Sequence, residues 1–254
     1  MRLYSWNVNG IRSVAKKNLL PWDVLGDGDV IGLQETKAQP QQLDPSLVAP
    51  PGWHAFWHSA EKPGYSGVAI VSKIKPDEIR VGLGDHQFDS EGRVLAARFG
   101  TLAVVNAYFP NSREAGARLG YKLSFCALME TYLQAWRDAG CEVVLLGDYN
   151  IAHQPIDLAR PRENEKNAGY LPEERAWFSR YLSLGYRDVF RERNPTLTGA
   201  YSWWTARGGA RERNVGWRID FGTTTPALAS RVTGAEIHPD IPGSDHCPVS
   251  VTLS

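Results

Sequence analysis

The residues best suited to chemistry are one Glu, three Asp, one His and several Asn, each placed where an apolar run begins or ends. In Tyr4-Ser5-Trp6-Asn7-Val8-Asn9-Gly10 two Asn stand at i and i+2. On an extended strand they share one face and offer amide oxygens and NH2 donors together. The run Val30-Ile31-Gly32-Leu33 leads into Gln34-Glu35-Thr36-Lys37, which puts a carboxylate at the C-terminal end of a strand, where open α/β sheets bind ligands. Val143-Val144-Leu145-Leu146-Gly147-Asp148-Tyr149-Asn150 repeats that design with Asp148 and Asn150 aimed at one point. A carboxylate beside an amide can activate and orient a water, or share a hard cation. Arg218-Ile219-Asp220-Phe221 places an acid inside a strand-like stretch after Trp217, and Gly243-Ser244-Asp245-His246-Cys247-Pro248 sets Asp and His side by side before the last strand. His246 needs a partner to fix its tautomer and stabilise its charged form, and Asp220 is a candidate.

Each segment taken singly also reads as ordinary structure: an Asn turn at Gly10, a solvated Glu at a helix start, an Asx turn after Leu146, a loop His. Their joint composition is what carries weight. No nucleophilic Ser or Cys motif accompanies them; Gly64-Tyr65-Ser66-Gly67 misses the GxSxG spacing, and no Walker or Rossmann fingerprint is present. Water is the expected nucleophile. Oxygen-rich ligands without paired Cys or HExxH select Mg²⁺ or Mn²⁺ over Zn²⁺, and a hard cation beside anionic oxygens is what phosphoester hydrolysis requires.

The elements that must position these groups are short β-rich runs: Leu3 to Val8, Val30 to Leu33, Gly67 to Val71, Val94 to Phe99, Leu102 to Ala107, Val143 to Leu146 and Val249 to Leu253. Helical spacing appears from Leu119 to Arg137 and from Pro172 to Leu184, the latter opening with Pro, Glu173 and Glu174 near the positive dipole end. A mixed α/β class follows. The chain of 254 residues is 43% hydrophobic and 22% charged, enough for a sizeable core, and no low-complexity linker divides it. One domain over 1–254 is expected. Cys126, Cys141 and Cys247 form neither a disulfide framework nor a zinc site. With no signal-like start and no window near the ~18 apolar residues of a membrane span, a cytoplasmic protein without membrane contact is expected.

The ordered blocks WNVNGIR, GLQETK, GYSGVAIVSK, NAYFPN, LLGDYNIAH, EKNAGY, NVGWRIDF and GSDHCPV, spanning 5–249, resemble exonuclease III and the related abasic-site endonucleases of the endonuclease/exonuclease/phosphatase superfamily. The resemblance implies a four-layer α/β sandwich, two packed mixed β-sheets flanked by helices. It implies a Mg²⁺-dependent monomeric nuclease, with Mn²⁺ as substitute, acting on double-stranded DNA with abasic sites or blocked 3′ ends. Its activities would be cleavage 5′ of abasic sites, 3′-5′ exonuclease trimming and 3′-phosphodiesterase or 3′-phosphatase action. Carried over by position, Glu35 is the principal metal ligand, with Asn7, Asp148, Asn150, Asp245 and His246 in the metal and phosphate environment. Asp148 activates the attacking water, Asn150 orients it, His246 binds the scissile phosphate and Asp220 buttresses the imidazole. Tyr108, as phenol or phenolate, and Asn111 contact the phosphate and leaving group. Lys37 and Asn167 match backbone-phosphate contacts, Arg207 stands where the family inserts a wedge, and Trp203, Trp217 and Ile219 form the pocket for a flipped, baseless sugar.

The same acids and His serve superfamily phosphatases of inositol lipids, sphingolipids and signalling nucleotides. The NVGWRIDF block, Trp203 and KNAG resemble the DNA-repair branch instead. Net charge is zero, 28 bases against 28 acids, which by itself argues against a nucleic-acid partner. The charge is unevenly spread: Asp23 to Glu61 holds six acids and one base, and Leu158 to Arg218 twelve bases and seven acids. A basic face beside an acidic metal pocket is therefore expected.

Overall fold

A computed structural model describes all residues 1–254. Twelve strands form two six-stranded mixed sheets. The first has the order β11-β12-β1-β2-β4-β3, from β1 (Arg2–Asn7), β2 (Val30–Gln34), β3 (His54–His58), β4 (Val68–Ser72), β11 (Val232–Ile237) and β12 (Val249–Leu253). The second has the order β5-β6-β7-β8-β10-β9, from β5 (Glu78–Val81), β6 (Val94–Phe99), β7 (Leu102–Tyr108), β8 (Glu142–Asp148), β9 (Arg187–Asp188) and β10 (Asp220–Thr224). Each sheet holds one parallel pair, β1 with β2 and β7 with β8, in an otherwise antiparallel arrangement. Because β11 and β12 return to complete the first sheet, both ends of the chain belong to it.

Strand alternation separates the layers. Along β8, Val144 and Leu146 turn toward the other sheet, where they meet Leu3, Val30, Ile70 and Val251. Val143 and Leu145 turn outward onto Phe125, Met129 and Trp136 of the Leu119–Asp138 helix, with Phe178 and Tyr181 of the Pro172–Ser183 helix. On the far side, Tyr4, Trp6, Ile31 and Leu33 pack under Ile11, Val14 and Trp22. The result is helix, sheet, sheet, helix, as the resemblance implied. Both helices expected from spacing form within one residue of their expected ends. Strands β3, β5, β9 and β11 are absent from the sequence expectation; all four are sheet edges, and none reads as a buried apolar run.

The topology gathers the polar strand ends at one rim. β1 and β2 run parallel and end together at Asn7 and Gln34. β7 and β8 end together at Tyr108 and Asp148, and antiparallel β10 begins opposite with Asp220 paired to Asp148. Antiparallel β12 enters beside β1, which brings Asp245 and His246 to the same rim. Two polar residues pin the sheets below it: Gln34 Nε2 donates to Asn106 Oδ1 at 2.6 Å, and Asn106 Nδ2 donates to the carbonyls of Leu33 and Ala69. Gly147 immediately precedes Asp148 at φ 153°, and a side chain there would strike the Ala107 carbonyl of the adjoining strand. Glycine lets β7 and β8 approach where they present Tyr108 and Asp148.

Candidate active site

Asp148 lies at the centre, 1% exposed. Its Oδ1 accepts the backbone N–H of Asn150 at 2.8 Å, and its Oδ2 accepts Asn7 Nδ2 at 2.9 Å. The Asx turn that the sequence offered as an alternative is present, and it is the device that aims the carboxylate. Asn150, at φ 51°, donates its NH2 to the Phe109 carbonyl at 3.0 Å and accepts Asn111 Nδ2 at 2.9 Å. Its amide therefore ties Asp148 to the Tyr108-Phe109-Pro110-Asn111 segment.

His246 Nδ1 lies 2.9 Å from Asp220 Oδ2, and Nε2 lies 3.8 Å from Asp148 Oδ2. Ser202 Oγ donates to Asp220 Oδ2 at 2.6 Å and accepts the backbone N–H groups of Ile219 and Asp220 at 3.1 Å. Burial lowers the His246 pKa, but the charges of Asp220 and Asp148 outweigh it and push it up to about 10. Burial raises Asp148 to about 7, with Asp220 and Glu35 adding to the rise and His246 opposing it. The imidazole is thus cationic at neutral pH, facing a carboxyl poised near neutrality.

Glu35 follows β2 at φ 51° and presents Oε1 to Asn7 Nδ2 at 2.9 Å and Oε2 to Lys37 Nζ at 2.7 Å. Burial alone would raise its pKa; the Lys37 charge and the Lys37 and Asn7 hydrogen bonds hold it below the usual carboxylate range. Lys37 also donates to Asn9 Oδ1. Asn9 Nδ2 reaches Asp245 Oδ1 at 2.9 Å, and Trp203 Nε1 reaches Asp245 Oδ2 at 3.1 Å. One donor atom each from Glu35, Asp148 and His246 falls within a 4.8 Å cluster. The residues fit a hard divalent cation: carboxylate oxygens converge, and Asp148 is raised by burial and by the Asp220 and Glu35 charges, which such a cation would offset.

Beside this cluster opens a cavity of about 240 Å³. Trp203, Trp217 and Ile219 wall it, Asn111 and Asn167 border it, and Glu35, Asp148 and His246 line its polar end. The two indoles meet edge to face, with centroids 6.2 Å apart.

Comparison with known proteins matches residues 4–246 to the Endonuclease/Exonuclease/phosphatase family. The chain belongs to that family. It is 43% identical to an exodeoxyribonuclease of Bacillus subtilis, with both chains covered in full, and 41% identical to the DNA repair nuclease APEX1 of Danio rerio, covering all of this chain and 82% of that one. Its fold is similar to that of an AP endonuclease from Archaeoglobus fulgidus, with a TM-score of 0.88 and 29% identity over 100% of this chain and 99% of the other.

Family membership makes the chain a hydrolase, and the rim brings together most of the residues expected from its sequence. Asn7, Glu35, Tyr108, Asp148, Asn150, Asp220, Asp245 and His246 converge as described. Two placements differ from the sequence expectation. Asn7 turns its NH2, not its oxygen, to Glu35 and Asp148, because its Oδ1 accepts the Asn9 backbone N–H at 3.0 Å. Asn9 leaves the strand at φ 45°, so the Asn pair does not share one extended face. Arg207 lies exposed in the loop after Trp204, outside the cavity. Sequence reasoning missed the group behind Tyr108. Arg93, 2% exposed, lies 4.7 Å from the Tyr108 ring centroid and donates to the Tyr108 carbonyl and to Tyr65 Oη, both at 3.0 Å. Arg118 donates to the same Tyr65 oxygen at 3.0 Å, and Glu91 accepts from both Arg. The only signal was Tyr65 inside the GYSG block.

Proposed function

We propose that this protein is a divalent-metal-dependent DNA repair nuclease that hydrolyses the phosphodiester 5′ of an abasic site, with 3′-exonuclease and 3′-phosphatase action at the same centre. The observation that carries this reading is the indole-walled cavity opening directly onto the Glu35, Asp148 and His246 cluster. Trp203 Nε1 is committed to Asp245, so that wall offers an apolar face to a sugar and no in-plane donor to a base. A baseless deoxyribose suits it better than a nucleotide or an inositol ring rich in hydroxyls.

Glu35 and Asp148 would hold the cation, Mg²⁺ or Mn²⁺ by donor chemistry, and it would supply charge neutralisation at the phosphate. His246, held cationic by Asp220, binds a non-bridging oxygen. Asp148 accepts a proton from the attacking water, and Asn150 and Asn7 fix its orientation. Tyr108 stays a phenol, because burial and the neighbouring Glu35 and Asp148 charges push its pKa well above the ordinary value. It donates a hydrogen bond to the phosphate rather than acting as phenolate. Asn111 and Asn167 contact the strand at the cavity mouth. Water attack in line expels the 3′ oxygen and leaves a 3′-hydroxyl and a 5′-deoxyribose phosphate.

The test is a labelled duplex carrying one abasic analogue, incubated with Mg²⁺ beside recessed 3′-hydroxyl and 3′-phosphate duplexes and a soluble inositol phosphate. Chelator-sensitive nicking 5′ of the lesion is expected. Phosphate release from the inositol compound with no cleavage of any duplex would overturn the reading.

A further inference from the structure

One buried ion pair outside the reaction centre, Glu174 with Lys122, is bonded to three of the loops that build it. Glu174, in the first turn of the Pro172–Ser183 helix, is 0% exposed. Its Oε2 accepts the backbone N–H groups of Gly169 and Leu171 at 2.7 and 3.0 Å. Its Oε1 accepts Ser112 Oγ at 2.8 Å and Lys122 Nζ at 2.7 Å. Lys122, likewise 0% exposed, donates also to the Asn150 carbonyl at 2.6 Å.

Each bonded segment carries a residue of the site. Ser112 follows Asn111, Gly169 closes the Asn167-Ala168-Gly169 side of the cavity, and the Asn150 carbonyl belongs to the turn that aims Asp148. The loops also touch one another: Asn111 Nδ2 donates to Asn150 Oδ1, and the Ala152 N–H donates to the Gly169 carbonyl at 2.7 Å. The Asn111 segment and the Asp148 turn are further joined by the Asn150 NH2 to the Phe109 carbonyl and by the Phe109 N–H to the Asp148 carbonyl, whereas Glu174 and Lys122 bond all three segments at once. An exposed Glu in a first helical turn would serve the helix dipole alone. Here both oxygens are used up by loop and Lys122 donors, in surroundings where a lost partner is costly.

We propose that Glu174, with Lys122, is a positioning residue that sets the Asp148 turn, the Asn111 segment and the Asn167 cavity wall in their reactive spacing. The proposal rests on the repair reading only for the choice of substrate. Glu174→Gln leaves one acceptor oxygen for two pairs of donors and sets an NH2 against one pair, so one loop comes free. A shift of about 1 Å at a reacting group can cost on the order of 10²-fold in rate.

The experiment is single-turnover cleavage of the abasic duplex with enzyme in excess, alongside duplex affinity by anisotropy. At saturating enzyme the rate constant does not depend on the fraction of protein folded, so general destabilisation leaves it unchanged as long as folded enzyme stays in excess. Glu174→Gln is expected to lower the rate constant roughly 30- to 100-fold with affinity within about threefold. Ser112→Ala, which removes one donor and keeps the ion pair, is expected to lower it roughly threefold to tenfold, and serves where Glu174→Gln does not fold. Unchanged rate constants in the folded variants, or a loss confined to affinity, would overturn the proposal. If the wild type instead processes only a 3′ end or an inositol phosphate, the repair reading fails alone. The ratio of variant to wild type is then read on that substrate.

Discussion

Asp220 does more for His246 than select a tautomer. Its charge, assisted by Asp148, lifts the imidazole to about 10 despite burial, so the group that meets the phosphate is an imidazolium. Linkage gives the sign. A folded pKa raised above the unfolded ~6.5 contributes stability that is full below about pH 6.5 and is lost as pH rises through about 10. In metal-free Asp220→Asn the ring loses its main anionic partner, and its pKa falls. Nitrogen NMR of His246 should therefore show a doubly protonated ring at pH 8 in the wild type and a largely neutral one in the variant. Turnover of the variant should drop on the order of 10²-fold to 10⁴-fold. A wild-type His246 that titrates near 6.5 would refute this assignment. The pairing was legible in the sequence as an acid in a strand and a His before one. The orientation of Asn7 was not, because which end of an amide faces a carboxylate depends on the turn at Asn9.

At the level of strands, the central ones were legible and the edges less so. β2 and β4 are buried at every residue and read as apolar runs up to a polar last residue, whereas edge strand β3 (His54-Ala55-Phe56-Trp57-His58) gives no such run. The strand termini decide function. Glu35 and Asn150 take φ near 51° within two residues of β2 and β8, so the chain turns sharply as it delivers each side chain. That geometry has no signature in hydrophobic spacing. Gly147 is the one glycine whose absence of a side chain directly sets the distance between Tyr108 and Asp148. Gly147→Ala should destabilise the fold by about 2–3 kcal/mol, from a clash with the Ala107 carbonyl of a rigid neighbouring strand. Urea unfolding monitored by tryptophan fluorescence reads this directly. A change below about 0.5 kcal/mol would mean that β7 can yield and that the close approach is not enforced there.

Over the whole molecule, the Leu158 to Arg218 stretch, from which a basic face is expected, holds much of its Arg complement inside the protein. Most of its Arg side chains are engaged within the protein. Arg218, 1% exposed, grips Asp188 through both terminal nitrogens at 3.0 and 2.7 Å and Asp157 at 2.8 Å, while Arg191 reaches Asp157 and Arg180 reaches Glu130. Arg193, Arg211 and Arg213 donate to backbone carbonyls. Linear charge counting could not see this, because Asp157 and Glu130 lie outside the counted stretch. Arg162, Lys166 and Arg207 remain exposed without a protein partner. With three free cations, this stretch should release few counterions on binding duplex. The slope of log affinity against log salt is about −0.9 per neutralised phosphate, so three contacts give a slope near −3, against about −10 for a strongly basic binder. Arg207 separates two roles within that slope. If it grips phosphate, Arg207→Ala should flatten the slope by about 1 and weaken binding equally to intact and abasic duplex. If it wedges into the groove, the slope should hold and the loss should fall on the abasic duplex. Anisotropy titrations from low to moderate salt, in a non-hydrolysing buffer with chelator, give both numbers. A wild-type slope near −10 would show that many more cations reach phosphate than the three left unpaired in this stretch, and that the neutral total conceals a basic surface.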